Sequence, residues 1–339
     1  MQFAAIRLLL PLVMLGALGC QSTASADDSS ATNSGGASGN PALASGAGGN
    51  VASGSAGVSG MGAGSTEPTD ASVTDGDSVD AAIDTDAAPV EPGWTFVWSD
   101  EFHGPDIDES IWTIVDTPGT KGNKELEYYT NRKNAEPGAN AFIEDDALVI
   151  EARQEALNGF NYTSARLNTQ QHSVAQFQYG RMEARAKLPN VAGMWPAFWM
   201  LGTANLGWPE QGEIDIMEGK GRLPNWMSGA LHRSSTPGGA GDIVSVEPYT
   251  LATGNFHDDW HVFAVEWDDQ QIRWYVDSAL FQTVPRPTTT TQPWPFDAPF
   301  YFLLNLAVGG VFDNNVAPPA DMPPQRFYVD YVRVFKKAT

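Results

Sequence analysis

Glu213-Ile214-Asp215-Ile216-Met217-Glu218 places three carboxylates in a segment whose other members, Ile214, Ile216 and Met217, require burial. Acidic and apolar residues alternate through its first four positions, the period of a β-strand, in which successive side chains point to opposite faces. In a regular strand Glu213, Asp215 and Met217 share one face and Glu218 falls on the other. A β-bulge at Met217, two residues opposing one on the partner strand, returns Glu218 to the face of the other acids. The segment therefore reads as a bulged strand with an acidic wall on one side and a hydrophobic core behind it.

Such a wall suits glycosidic bond cleavage, in which one carboxylate attacks or stabilises the anomeric carbon and another protonates the departing oxygen. Four effective strand steps of ~3.3 Å put the Glu213 and Glu218 backbones ~13 Å apart. Side chains leaning inward by ~3 to 4 Å bring the carboxyls toward the ~5 to 5.5 Å of retaining enzymes. Asp215, shorter and between them, is placed to hydrogen-bond the nucleophile and to raise the pKa of a neighbouring acid by like-charge repulsion. A merely solvated acidic face is the competing reading; the flanking Ile and Met residues and the aromatic neighbourhood argue against it.

Outward from this strand, residues 93–339 hold all eleven tryptophans and short alternating runs separated by Gly, Pro and Asn. Arg181 to Leu188 alternates polar and apolar residues without a fault, as a half-exposed antiparallel strand requires, and its polar face is expected to border a cleft. Arg273 to Val276, Tyr301 to Val308 and Tyr328 to Val334 read as further strands, and no capped helix of ordinary length stands out. A cysteine-free segment of this size with such patterning predicts one all-β domain, a sandwich of two sheets.

The remainder is not expected to fold. Arg7 followed by the apolar run Leu8 to Gly19 reads as an export signal over residues 1–20, too short to span a bilayer. Cys20, the single cysteine, follows Ala17-Leu18-Gly19 as in a lipoprotein signal, which predicts lipidation there and a bacterial outer-membrane or cell-surface location, with plain secretion as the alternative. Residues 21–92 are rich in Gly, Ala, Ser, Thr and Asp and lack Lys, Arg and aromatics, the composition of a disordered linker. Its reach is on the order of 45 Å. The net charge of −22 includes −10 from this linker and −13 from residues 93–339. An acidic domain repels phosphate backbones, which disfavours nucleic acid and favours a neutral glycan.

Seven segments in order resemble glycoside hydrolase family 16, in its laminarinase-like endo-β-1,3-glucanase branch. They are Trp98 to Phe102, Glu125 to Thr130, Ser164 to Leu167, Met194 to Met200, Gly212 to Glu218, Asn305 to Gly310 and Val329 to Val334. The resemblance implies a β-jelly-roll of two curved antiparallel sheets with a concave cleft. Within it Glu213 is the nucleophile, Glu218 the acid/base and Asp215 the assisting acid. The extra Met217 is shared with laminarinases, agarases and carrageenases and separates the chain from lichenase-like and xyloglucan-transferase branches. Arg166 and Asn123 match positions that hydrogen-bond sugar hydroxyls on the donor side. Glu101 and Asp330 match a structural calcium site; no cofactor is implied for catalysis.

Trp195 and Trp199 fall on one strand face with Ala197 between them and are read as sugar-stacking platforms. Trp208 and Trp226, on loops either side of the acidic strand, are candidate cleft borders. His232, fourteen residues beyond Glu218, suits the next strand of a hairpin and a hydrogen bond to the reacting groups. Trp94, Trp98, Trp112, Trp267 and Trp274 are expected in the core, and His261 as a satisfied interior histidine. Five histidines and one thiol make a transition-metal site improbable. The expected function is that of a monomeric, retaining endo-β-1,3-glucanase. The alternatives are a hydrolase of agar- or carrageenan-type galactans and a glucan-binding surface protein without turnover.

Overall fold

The computed structural model describes residues 92–236, 241–288 and 293–339. The expected export signal, Cys20 and all but the last residue of the expected linker lie outside these residues, as do parts of the loops following Arg233 and Arg286. Within them the chain forms strands joined by turns, and the described residues contain only three short 3₁₀ segments as helix.

Two large antiparallel sheets face one another. The first runs Ala279–Pro285, Gln271–Val276, His261–Trp267, Gly180–Lys187, Gln325–Lys337, Ala147–Ala152, Ala141–Glu144, with Trp94–Asp100 also paired to Gln325–Lys337. The second runs Gly241–Ser245, Trp226–Ser234, Glu213–Gly219, Met194–Gly202, Phe300–Val308, Arg166–Asn168, Thr113–Ile114. This is the all-β sandwich expected, and the expected strands lie within observed ones except for Leu188, which falls just past Gly180–Lys187. A small third sheet joins Thr117–Pro118, Glu127–Tyr129 and Tyr162–Ser164.

Period-two patterning builds the core between the sheets. Met194, Phe198 and Met200 from one sheet and Met182, Ala184 and Ala186 from the other belong to a single buried cluster. Phe198 stacks on Phe302 of the neighbouring strand with ring centroids 5.7 Å apart. Pro196 is tolerated in a central strand because it pairs with Leu306 on one side, while the ladder to the acidic strand begins only at Ala197.

Some expectations change here. The polar face of Arg181 to Leu188 does not border the cleft, because Gly180–Lys187 belongs to the opposite sheet. Its outward Arg181 pairs with Glu183 at 2.7 Å and Arg185 with Asp330 at 2.7 Å. Trp112, Trp267 and Trp274 are buried, Trp98 packs against the core, and Trp94, the first residue of its strand, is only half-buried. His261 is satisfied, by Asp277 at 2.7 Å, but at the rim of its sheet rather than inside.

Candidate active site

The acidic strand Glu213–Gly219 lies between Met194–Gly202 and Trp226–Ser234. Asp215 pairs with Trp199 and Ala230, and Glu218 with Ala197 and Ser228, so two residues, Ile216 and Met217, span the single position of Gly229. Both bulged residues are buried in the core cluster, which leaves Glu218 on the face of Glu213 and Asp215. Trp274 of the opposite sheet reaches beneath the bulge and donates its indole N–H to the Asp215 carbonyl at 2.9 Å. Only glycine permits this approach at position 229. A Cβ there would sit 2.5 Å from Trp274 Nε1 and 2.6 Å from the Asp215 oxygen.

Glu213, Asp215 and Glu218 line one cleft together with Trp195, Trp199, Trp208, Arg166, Asn123 and His232, all nine being residues expected at the site. Each outer acid accepts an indole hydrogen bond: Trp208 donates to Glu213 and Trp195 to Glu218, both at 2.9 Å. His232 pairs directly with Glu213 in the ladder, and its Nε2 lies 3.4 Å from Glu213 and 3.1 Å from Asp215. The imidazole thus lies between the two carboxylates.

Electrostatics separate the acids. Burial pushes the Glu213 carboxyl up to about 7, with Asp215's charge adding to the rise and His232 and the Trp208 N–H opposing it. Burial and then Asp215 push Glu218 up to about 8, against His232 and the Trp195 N–H. For His232, burial disfavours the charged ring, but Glu213, Asp215 and Glu218 outweigh it and raise the imidazole to about 10. A cation between two carboxylates balances the wall, and a carboxyl held protonated near neutrality is what general acid catalysis requires.

The aromatic residues divide. Trp199 is half-buried, anchored by an N–H bond to Asn305 Oδ1 at 2.8 Å, with the Arg166 guanidinium 5.7 Å from its ring centre. Trp195 is only 6% exposed, and Phe312 stacks on it at 4.9 Å and 18°. The platform reading of Trp195 is therefore corrected: its ring face is covered, and its N–H edge is what serves the cleft. Trp226 stands outside the cleft lining, against Phe312 and with Lys220 Nζ 4.6 Å from its ring centre.

Glu125, Asn305 and, behind them, Tyr129 and Phe312 also shape the site, although no role for them is evident from the sequence. Asn305 was detectable as the lone amide in the apolar strand Phe300–Val308. Glu125 and Glu127 were detectable as acids two residues apart at the entry to the strand Glu127–Tyr129.

Glu101 and Asp330, the residues expected at a structural calcium, each meet a guanidinium: Glu101 accepts two hydrogen bonds from Arg333, of 2.9 and 2.7 Å, and Asp330 one from Arg185 at 2.7 Å. Among the described residues the ligand-type group that converges is Glu213, Asp215 and His232, with atoms within 4.8 Å of one another. In this arrangement the imidazole, raised to about 10 by the carboxylates, holds a proton between them.

A profile of glycosyl hydrolases family 16 matches residues 129–333. The chain is 38% identical over 268 residues to a β-glucanase of Rhodothermus marinus, covering 75% of this chain and 89% of that protein. It belongs to glycosyl hydrolases family 16. This family 16 chain is also 36% identical over 293 residues to a glucan endo-1,3-β-glucosidase A1 of Niallia circulans, covering 77% of this chain but 40% of that longer protein. The solved laminarinase catalytic domain from Thermotoga maritima matches it with a TM-score of 0.64 and 40% identity, over 73% of this chain and 99% of that domain.

Proposed function

We propose that the protein is a retaining endo-β-1,3-glucanase. The observation that carries this reading is one bulged strand presenting Glu213, Asp215 and Glu218 to a cleft, with the outer acids held by separate indole donors. Likeness to proteins described as laminarinases and endo-1,3-β-glucanases supports the linkage. Glu213 attacks the anomeric carbon as Glu218 gives its proton to the departing glycosidic oxygen. Glu218, now ionised, then takes a proton from the incoming water, whose oxygen displaces Glu213 and restores both carboxyls. Asp215 and His232 hold the charge balance between the two roles. Trp199 supplies the stacking face, while Arg166 and Asn123 supply polar contacts to sugar hydroxyls.

The test is reducing-sugar release by the purified protein from laminarin, curdlan, barley β-glucan and agarose side by side. Laminarin should be cleaved, and Glu213→Gln and Glu218→Gln should each abolish cleavage without changing the circular dichroism. Turnover of agarose alone would move the substrate to galactans, and binding of laminarin without turnover would make the protein a glucan-binding module.

Export and anchoring through lipidated Cys20 form the second part of the proposal, supported by the sequence of residues 1–20. The wild-type chain should partition with membranes and Cys20→Ser with the soluble fraction. Equal partitioning of both would refute the anchor. The linker then acts as a tether that holds the enzyme clear of the surface.

A further inference from the structure

Glu125 and Glu127 are acids at the cleft that the proposed reaction does not use. Glu125 is 7% exposed and lines the cleft; Glu127 has no exposed surface. The Glu125 carboxylate accepts from four donors: the Thr120 N–H at 2.8 Å, Asn123 Nδ2 at 3.0 Å, the Tyr129 hydroxyl at 3.1 Å and the Arg166 guanidinium at 3.4 Å. A carboxylate offers roughly four acceptor sites, so Glu125 has none left for a sugar. Its bonds instead fix the side chains of two partners that line the cleft, Asn123 and Arg166.

Glu127 explains how an anion persists there. Its Oε2 accepts the Val308 N–H at 2.7 Å, while Oε1 is buried with no donor to meet it. Burial first, and the charge of Glu125 second, hold Glu127 well above the ordinary carboxylate range. Tyr129 and Arg166 are the other ionisable groups facing the pair, and Tyr129 is itself held well above its usual value by burial. A proton on Glu127 removes its charge from beside Glu125 and leaves one negative charge, on Glu125, opposite Arg166.

We propose that Glu125 and Glu127 form an acid pair holding one proton, on Glu127, and that anionic Glu125 is a positioning residue that orients Asn123 and Arg166 toward substrate hydroxyls. The inference rests on reading the cleft as a glucan site. Glutamine is isosteric with a protonated acid, so the two positions should respond in opposite ways.

Glu127→Gln is expected to keep kcat and KM on laminarin within about twofold. Glu125→Gln, which turns an NH₂ group onto donors, is expected to raise KM about 10- to 100-fold with kcat within a few-fold, the loss of a charge-assisted hydrogen-bond hub. Because Glu125 acts through Asn123, Asn123→Ala in the Glu125→Gln background should add little to the effect of Glu125→Gln alone. Thermal melts identify any variant that fails to fold, and Glu125→Asp, which keeps the charge, should recover part of the lost KM. An unchanged KM in Glu125→Gln, equal damage from Glu127→Gln, or fully additive effects of Glu125 and Asn123 would overturn the inference. A wild-type protein that leaves laminarin intact would instead overturn the glucanase reading.

Discussion

His232→Gln should move the acid limb of the pH–kcat/KM profile upward by about one to two pH units. The imidazole nitrogen lies 3.4 Å from Glu213 and 3.1 Å from Asp215, and the ring is raised to about 10 by the surrounding carboxylates, so it is a cation at neutral pH. A unit charge 3.4 Å from a carboxylate is worth about 1.2 kcal/mol in water and about 5 kcal/mol at an effective dielectric of ~20. At ~1.36 kcal/mol per unit these bounds are about 0.9 and 3.6 units, and the open cleft selects the lower half. The sign follows from the charge: His232 favours ionised Glu213, so its removal raises the pKa and demands a higher pH for the nucleophile. Below the displaced limb, activity should fall about tenfold per unit relative to wild type.

The assay is reducing-sugar release from laminarin at constant ionic strength across about pH 4 to pH 10, since the limbs of kcat/KM report the free enzyme's essential groups. A limb that stays within about 0.3 units would refute the reasoning and mean that the ring is neutral. Its buried Nδ1 has no hydrogen-bond partner among the described residues, as a neutral ring donating only from Nε2 would leave it.

Trp195→Phe keeps a ring against Phe312 but removes the N–H that favours ionised Glu218; the alkaline limb should shift upward, and an unmoved limb would dissociate Trp195 from the acid. Gly229→Ala forces a Cβ against Trp274 Nε1 and the Asp215 oxygen, so turnover should fall about 100-fold and urea unfolding should show a loss of about 1–3 kcal/mol. Glu218→Gln should stabilise the fold at about pH 8 but not at pH 4. A carboxyl raised from the unfolded value to about 8 loses stability as pH rises through that window, and differential melts at the two pH values read the difference. Equal melts for mutant and wild type at both pH values would contradict the raised Glu218.

Much of the site was legible because its signals are violations of simple patterning. Acids among Ile and Met, with one residue too many for a regular strand, indicated both the bulge and the face carrying Glu218. Position fourteen residues on indicated that His232 would meet the acids, although the chain gives no sign that it would lie between Glu213 and Asp215. Alternation told which residues of Arg181 to Leu188 face outward but not which sheet holds the strand, and that is why its polar face was assigned to the cleft. Trp195 failed as a platform for a related reason: face alternation is local, whereas Phe312, which covers the ring, arrives from more than a hundred residues away. The calcium expectation rests on resemblance alone, and the sequence gives no sign of the pairing of Glu101 with Arg333 or of Asp330 with Arg185, which depends on strand register.

The central claim is double displacement by Glu213 with Glu218 as acid and base. Proton NMR of a laminarin digest followed from the first seconds tests it directly, before mutarotation mixes the anomers. The account predicts that the new reducing ends appear first as the β-anomer, with α emerging only on the mutarotation time scale. Initial appearance of the α-anomer would mean direct attack by water and would contradict the assignment of Glu213 as nucleophile.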